Sequence, residues 1–238
     1  TGHYAKISNK DGRFYLARAK DLNKDQTYFL HEVSENDFSK CLFPLENLMK
    51  SEVRDIALKN NLVTANKKDS VGICFVGEKN LKDFLNRFIE FKKGNIKDEN
   101  NNVIGQHQGA ILYTQGQRQG LMIGGVKGKE ELPWYVYKKD IPNNEIYVCQ
   151  GGDNELLMNK GLYVEDINFI NDINYQYPMN CSVQVRHQHT PVKCLIEKLA
   201  NETKVTFSEP IRAIAPGQSA VFYDSEICLG GGVICKTF

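Results

Sequence analysis

One cysteine is set apart by its surroundings. Cys74 follows Lys67-Lys68-Asp69-Ser70-Val71-Gly72-Ile73 and precedes Phe75-Val76-Gly77-Glu78, just upstream of a segment with helical periodicity. A thiol beside lysines and a helix N-terminus has its pKa drawn below the free value of about 8.5, which raises its thiolate fraction and its nucleophilicity. Gly72 and Gly77 free the backbone on both sides, while Asp69 and Glu78 oppose the electrostatic effect. The competing reading is a small buried thiol in an Ile-Cys-Phe-Val strand, and the residues alone favour it.

Three further clusters suit polar recognition. Lys24-Asp25-Gln26 sets a cation, an anion and an amide side by side, a combination able to read phosphate, ribose and base edges. A solvated turn looks the same, and the residues alone favour that reading. Gly116-Gln117-Arg118 and Val185-Arg186-His187-Gln188-His189 place arginine among amides and imidazoles, as phosphate recognition requires and as a hydrated sheet edge also provides. Metal chemistry lacks its ligands: the seven cysteines contain no C-x-x-C pair, and His187 and His189 have no accompanying Cys or carboxylate cluster, so no zinc site is expected. Gly230-Gly231-Gly232 has no Lys-Ser/Thr after it and reads as a tight strand crossing, not a phosphate loop.

The elements that must position these groups follow from periodicity. Apolar runs at 4–7 and 13–17 around Asn9–Gly12 read as a hairpin, and 51–59 reads as a helix capped by Ser51 with Val53, Ile56 and Ala57 on one face. Leu81, Phe84, Leu85, Phe88 and Ile89 repeat at helical spacing before Gly94, predicting an amphipathic helix packed on a core. Asp98–Asn102 reads as a polar turn, and the glycines at 105, 109, 116, 120, 124 and 125 mark loops and short strands. From Trp134 onward, short strands at close spacing without long helices predict a small sandwich or barrel.

Thirty Lys and Arg against 29 Asp and Glu leave a net charge of +1 in 238 residues. A strongly basic polyanion binder is excluded for the chain as a whole, although local potential can still attract nucleic acid. With 41% apolar and 25% charged residues the chain is of globular composition, and its apolar runs stay short of the ~20 residues of a membrane helix. The start, Thr1-Gly2-His3-Tyr4, is neither a signal peptide nor a Met start and reads as a processed or excised fragment. An odd number of widely spaced cysteines fits reduced thiols in the cytoplasm.

Longer strings say more. Thr1-Gly2-His3-Tyr4-Ala5, Lys24-Asp25-Gln26-Thr27-Tyr28-Phe29-Leu30, Leu42-Phe43-Pro44-Leu45, Glu52-Val53-Arg54 and the whole stretch 67–78 occur in this order. Gly105-Gln106-His107, Tyr113–Arg118, Pro133–Val136, Pro216–Tyr223 and Cys228–Ile234 follow. From end to end this resembles the bacterial tRNA-specific 2-thiouridylase family. The resemblance implies an α/β remnant of an ATP-pyrophosphatase (PP-loop, HUP-like) domain at 1–78, a small central domain at 79–132 and a C-terminal all-β barrel that binds tRNA at 133–238.

It also implies ATP-dependent 2-thiolation of wobble uridine 34 in tRNAs for Lys, Glu and Gln. The C2 oxygen would be adenylated, a persulfide on cysteine would deliver sulfur, and a relay protein would supply that persulfide. Cys74 matches the sulfur-carrying cysteine, which reverses the reading from its neighbours alone. Gly2 matches a nucleotide-site glycine. His3, Lys24, Asp25, Gln26, Arg186, His187 and Gln218 match tRNA-contacting positions, His187 standing where the family usually has Tyr. The family's phosphate loop, which with its domain would bind most of the ATP and Mg²⁺, and its second catalytic cysteine find no match, so the chain is expected to be inactive alone. The alternative is a non-catalytic tRNA-binding or scaffold fragment, and a third reading is a thiol-redox protein centred on Cys74.

Overall fold

The computed structural model describes residues 1–67, 84–126, 128–165 and 167–238, so Cys74 and the start of the helix predicted from Leu81 lie outside the described residues. Near the N-terminus, β1 (Lys6–Lys10) pairs antiparallel with β2 (Arg13–Ala17), with Lys10 opposite Arg13. The turn between them is the expected Asp-Gly pair, with φ of 52° at Asp11 and 79° at Gly12; two positive φ values match the right-handed twist of the flanking strands. Helix α1 (Glu35–Phe38) is capped by Ser34, and α2 (Lys50–Lys59) follows.

Helix α2 begins one residue earlier than predicted. Its cap is Met49, not Ser51, because Glu52 turns back to accept the Met49 N–H at 2.6 Å and Asp21 accepts the Lys50 N–H at 2.9 Å. These two carboxylates satisfy amide donors that a helix start leaves orphaned. No residue of α2 is fully buried, and Ile56 is exposed. Of the helix predicted over 81–89, residues 84 and 85 are helical and a turn follows at 86–88; Phe88 is exposed and its ring meets Phe84 at 5.3 Å, so its part of the stripe packs on no core.

The central strands are β3 (Gly94–Lys97), β4 (Val103–His107), β5 (Trp134–Asp140) and β6 (Glu145–Gln150). They form one sheet in the order β4-β3-β6-β5, with β3 and β6 parallel. The strand-rich run expected to open the terminal barrel at 133 therefore divides. Ile146 lies beside Ile96, and with Val136, Val148 and Trp134 they make one core, so β5 and β6 bury their apolar positions here. The barrel strands begin at Met158.

Those strands are β7 (Met158–Val164), β8 (Asn168–Phe169), β9 (Met179–Gln184), β10 (Val192–Lys198), β11 (Thr203–Arg212), β12 (Ser219–Asp224) and β13 (Ile227–Thr237). The order β13-β12-β9-β10-β11-β7, closed by the pairing of β7 back to β13, makes a six-stranded barrel. Closure removes the exposed edges that an open sheet would carry. Strand β2 reaches the same sheet where Ala17 lies opposite Ile227. Among the described residues of 1–78, β1 and β2 are the strands, and they extend the barrel sheet.

Strand β12 is buried on both faces. Val221 and Tyr223 pack with Leu16, Tyr28, Phe38 and Phe43, and by alternation Ala220 and Phe222, both fully buried, take the opposite face. The tight crossing expected at Gly230–Gly232 is where β8 lies against β13. A Cβ on Gly230 would stand 2.0 Å from the Asn168 carbonyl oxygen, at a φ of 138°.

The described residues of 1–68, 160–211 and 216–238 form one unit, and those of 69–159 and 212–215 a second. No helix among the described residues is long and apolar enough to cross a membrane.

The second unit carries a built-in acid sensitivity. His107 is buried, its Nδ1 accepts the Gly109 N–H at 2.9 Å, and its Nε2 has no hydrogen-bond partner. Burial pulls its pKa below the ordinary 6.5, against a smaller opposite pull from the nearby Asn144 backbone. A lowered histidine pKa means the unfolded chain binds the proton more readily, so this stability is complete above the unfolded value and is lost as pH falls through the folded one. The thermal midpoint should drop between about pH 7 and pH 5, and His107→Asn, which keeps an acceptor near the Nδ1 position, should flatten that limb in calorimetry.

Candidate nucleic-acid interface

The Lys24-Asp25-Gln26 cluster lies in the first unit and is built from the inside out. Asp25 is buried. Its Oδ2 accepts the Ala19 N–H at 2.9 Å, and its Oδ1 accepts the Thr27 N–H at 3.2 Å together with the Thr27 hydroxyl. The carboxylate thus folds residues 19–27 around itself. Gln26 is tied to the N-terminal segment in both directions: its Oε1 accepts the Tyr4 N–H at 3.0 Å, and its own N–H donates to the Tyr4 carbonyl at 2.8 Å. That pairing brings exposed Gly2 and His3 next to Gln26 in the chain path, with His3 Nδ1 2.7 Å from the Thr1 hydroxyl. Lys24 is half-buried, and its N–H donates to the Asp21 carbonyl.

After Gln26 the chain makes a short 3-10 turn, Thr27–Leu30. The turn buries Thr27 and Tyr28 but leaves Phe29 59% exposed. Tyr28 donates its hydroxyl to the Ser219 carbonyl at 3.0 Å, which fixes the turn on β12.

The loop between β9 and β10 meets this turn. The His187 ring stands 4.5 Å from Phe29 and 6.2 Å from Tyr28. Arg186 is exposed, with its Nε 3.5 Å from the Gln218 Oε1. Behind them Gln184 receives the Arg18 Nη2 at 2.9 Å and donates to the Arg186 carbonyl at 3.1 Å. The Arg18 guanidinium lies 4.2 Å over the Tyr223 ring. Arg18, Asp25, Gln184 and His189 border a cleft of about 270 Å³.

Burial lowers the pKa of His187, against the pull of the Asp25 charge, and burial followed by the Arg186 charge lowers that of His189. Both rings are therefore neutral near pH 7, and their Nδ1 atoms have no hydrogen-bond partner. Arg186 and Arg18 bring positive charge to this face. An exposed ring beside a neutral imidazole, an arginine and amide groups can stack an unpaired base while a guanidinium meets phosphate.

The structure thus brings Asp25 and its segment to His187, and sets Arg186 beside Gln218. Sequence reading missed Arg18, Phe29 and Gln184. Arg18 and Gln184 are joined across 166 residues, a pairing that no local pattern announces. Phe29 carried the signal of an aromatic pair, but the run was compatible with a buried strand. Among the described residues no group of three or more His, Cys, Asp or Glu could hold a metal ion.

Comparison with known proteins divides the chain into three successive family segments, the last two meeting near the point where the barrel strands begin. Residues 1–78 match the tRNA methyl transferase HUP domain, residues 82–150 the tRNA methyl transferase PRC-barrel domain, and residues 159–234 the aminomethyltransferase beta-barrel domain. The tRNA-specific 2-thiouridylase MnmA of Buchnera aphidicola subsp. Schizaphis graminum is 48% identical over 236 residues, which is 98% of this chain and 64% of that protein. The protein of the same name from Pseudomonas fluorescens is 48% identical over 234 residues, 98% of this chain and 62% of the relative. The chain spans less than two thirds of the length of these relatives.

Proposed function

Because the chain belongs to the tRNA-specific 2-thiouridylase MnmA family, we propose that it is part of a tRNA-uridine 2-sulfurtransferase acting in the cytoplasm. The proposed substrates are ATP and tRNAs for Lys, Glu and Gln, with uridine 34 as the target. Placing AMP on the uracil C2 oxygen turns that oxygen into part of a leaving group. The outer sulfur of a persulfide on Cys74 attacks C2 and AMP departs. The thiolate of the family's second catalytic cysteine, which has no match in this chain, then attacks the Cys74 sulfur. The S–S bond breaks, 2-thiouridine leaves, and a disulfide with Cys74 remains for a cellular dithiol to reduce. A persulfide relay protein recharges Cys74.

The residues on the page divide this work unevenly. Gly2, the one position matched to the nucleotide site, is exposed, with open space where a Cβ would stand. The described residues hold no cluster of three or more His, Cys, Asp or Glu that could hold a metal ion by itself, and no step is routed through one. What they do offer is a grip on RNA. The observation that carries the reading is the meeting of Phe29 with His187 at 4.5 Å, beside exposed Arg186 and half-buried Gln218. An anticodon base must leave its stack to be modified, and the exposed Phe29 ring, backed by the half-buried His187 and next to a guanidinium, can receive an unstacked loop.

The activity is tested by incubating the full-length protein with unmodified tRNA, ATP, Mg²⁺ and a persulfide donor, then measuring 2-thiouridine by mass spectrometry. Its absence would leave the scaffold reading. The RNA grip is tested with an anticodon stem-loop. Arg186→Ala should weaken binding whatever the loop sequence and lower the log–log salt slope by about one. Phe29→Ala should cost about 1–3 kcal/mol of binding, with the salt slope unchanged.

A further inference from the structure

Away from the RNA-facing residues, the barrel carries two thiols in contact. Cys181 on β9 lies directly opposite Cys194 on β10 in an antiparallel pair, and their Sγ atoms are 3.5 Å apart. Opposed residues on antiparallel strands hold their Cα atoms about 4.5–5.5 Å apart, within the span of a disulfide. Bond formation therefore needs rotation of side chains and no shift of strands. Cys194 is buried and Cys181 is half-buried. Both border an open cleft of about 770 Å³ that also reaches Lys193, Ser208 and Asp224, which gives a small molecule a route to the outer sulfur.

We propose that Cys181 and Cys194 are a dithiol modification site, closed to a cross-strand disulfide by a low-molecular-weight disulfide. The Cys181 thiolate attacks one sulfur of the small disulfide; a bond to Cys181 forms, the original S–S bond breaks, and one small thiol leaves, taking up the proton that Cys181 gave up. Cys194 then loses its proton and attacks the Cys181 sulfur, the mixed disulfide breaks, and the second small thiol leaves with that proton. The two protein thiols are oxidised and the small disulfide is reduced to two thiols. The Cys194 pKa is raised, first by its contact with Cys181 and then by burial, so Cys194 keeps its proton until its neighbour has reacted.

The consequence is local and mechanical. The cross-link spans the middle of the hairpin whose loop carries Arg186 and His187, two residue pairs in from the last pair before that loop. Closing so short a ring constrains the unfolded chain.

The test uses the whole chain with oxidised glutathione at pH 8, followed by alkylation and tryptic mapping. Trypsin cuts after Arg186 and Lys193, so the product is two peptides joined through Cys181 and Cys194. Linkage should raise Tm by about 5–10 °C, reverse with dithiothreitol, and be absent in Cys181→Ser and Cys194→Ala, whose folding is checked by circular dichroism. Cys41 and Cys235, each hydrogen-bonded to a backbone carbonyl, should take glutathione only as adducts. If the wild-type chain shows no link between Cys181 and Cys194, whatever the other cysteines do, the proposal is overturned. A glutathione adduct that persists on Cys181 beside a free Cys194 overturns it equally.

Discussion

In the full-length protein, Cys74→Ser lowers ATP-dependent 2-thiouridine formation by at least about 10³-fold while anticodon stem-loop affinity stays within about twofold. The expectation rests on what the two side chains can hold. A thiolate accepts sulfane sulfur and keeps it as a persulfide, an acidic and strong nucleophile; a serine hydroxyl, un-ionised near neutral pH, does neither. Removing the reacting atom of a nucleophile costs orders of magnitude in turnover, because the remaining groups supply binding without the bond-forming step. On the proposed interface, binding rests on the face around Arg186 and Phe29, so it should not follow the activity. Mass spectrometry of the wild-type protein after loading with a persulfide donor should show a gain of one sulfur atom on the peptide containing Cys74, and none in the variant. A variant that thiolates at the wild-type rate would remove Cys74 from the reaction.

Parts of this molecule can be read from a few adjacent residues. The Asp11-Gly12 turn needs two positive φ angles, and the residues there adopt them at little cost. The helix over 50–59 announces itself by periodicity, although its first residue is set by Asp21, which comes from 29 positions upstream. The glycines at 230 and 231 mark a crossing because a Cβ would run into β8 at Gly230 and into the Ala220 carbonyl and the His31 ring at Gly231. What could not be read is long-range pairing. Ile96 and Ile146 meet in a parallel register, and nothing in either neighbourhood states which distant strand it will join, so residues 134–150 looked like barrel. The proposed interface divides in the same way. Motif strings drew attention to Arg186, His187 and Gln218, but the exposed Phe29 that completes the surface depends on a 3-10 turn whose sequence suits a strand equally well. For Cys74, local chemistry pointed to burial, and the surrounding string pointed to catalysis.

The second large effect concerns Asp25, matched by resemblance to a tRNA contact yet turned inward in the fold. Asp25→Ala should destabilise the chain by about 3 kcal/mol or more. The carboxylate accepts the Ala19 N–H, the Thr27 N–H and the Thr27 hydroxyl. Deleting it strands these buried donors, each at about 1–3 kcal/mol. The Thr27 hydroxyl also lies 3.2 Å from that of Tyr223, so the damage reaches the cluster under β12. Asp25→Asn keeps one acceptor oxygen but turns an amide toward a second donor, and should lose about half as much. Urea unfolding gives the ranking wild type, Asn, Ala, and the Ala midpoint should fall by about 6–12 °C in a thermal scan. RNA affinity decides the role. If Asp25 acts by holding residues 19–27 in place, affinity and stability fall together and Asn restores part of both. An Ala variant with an unchanged midpoint and poor RNA binding would put the carboxylate on the RNA itself and overturn the positioning role.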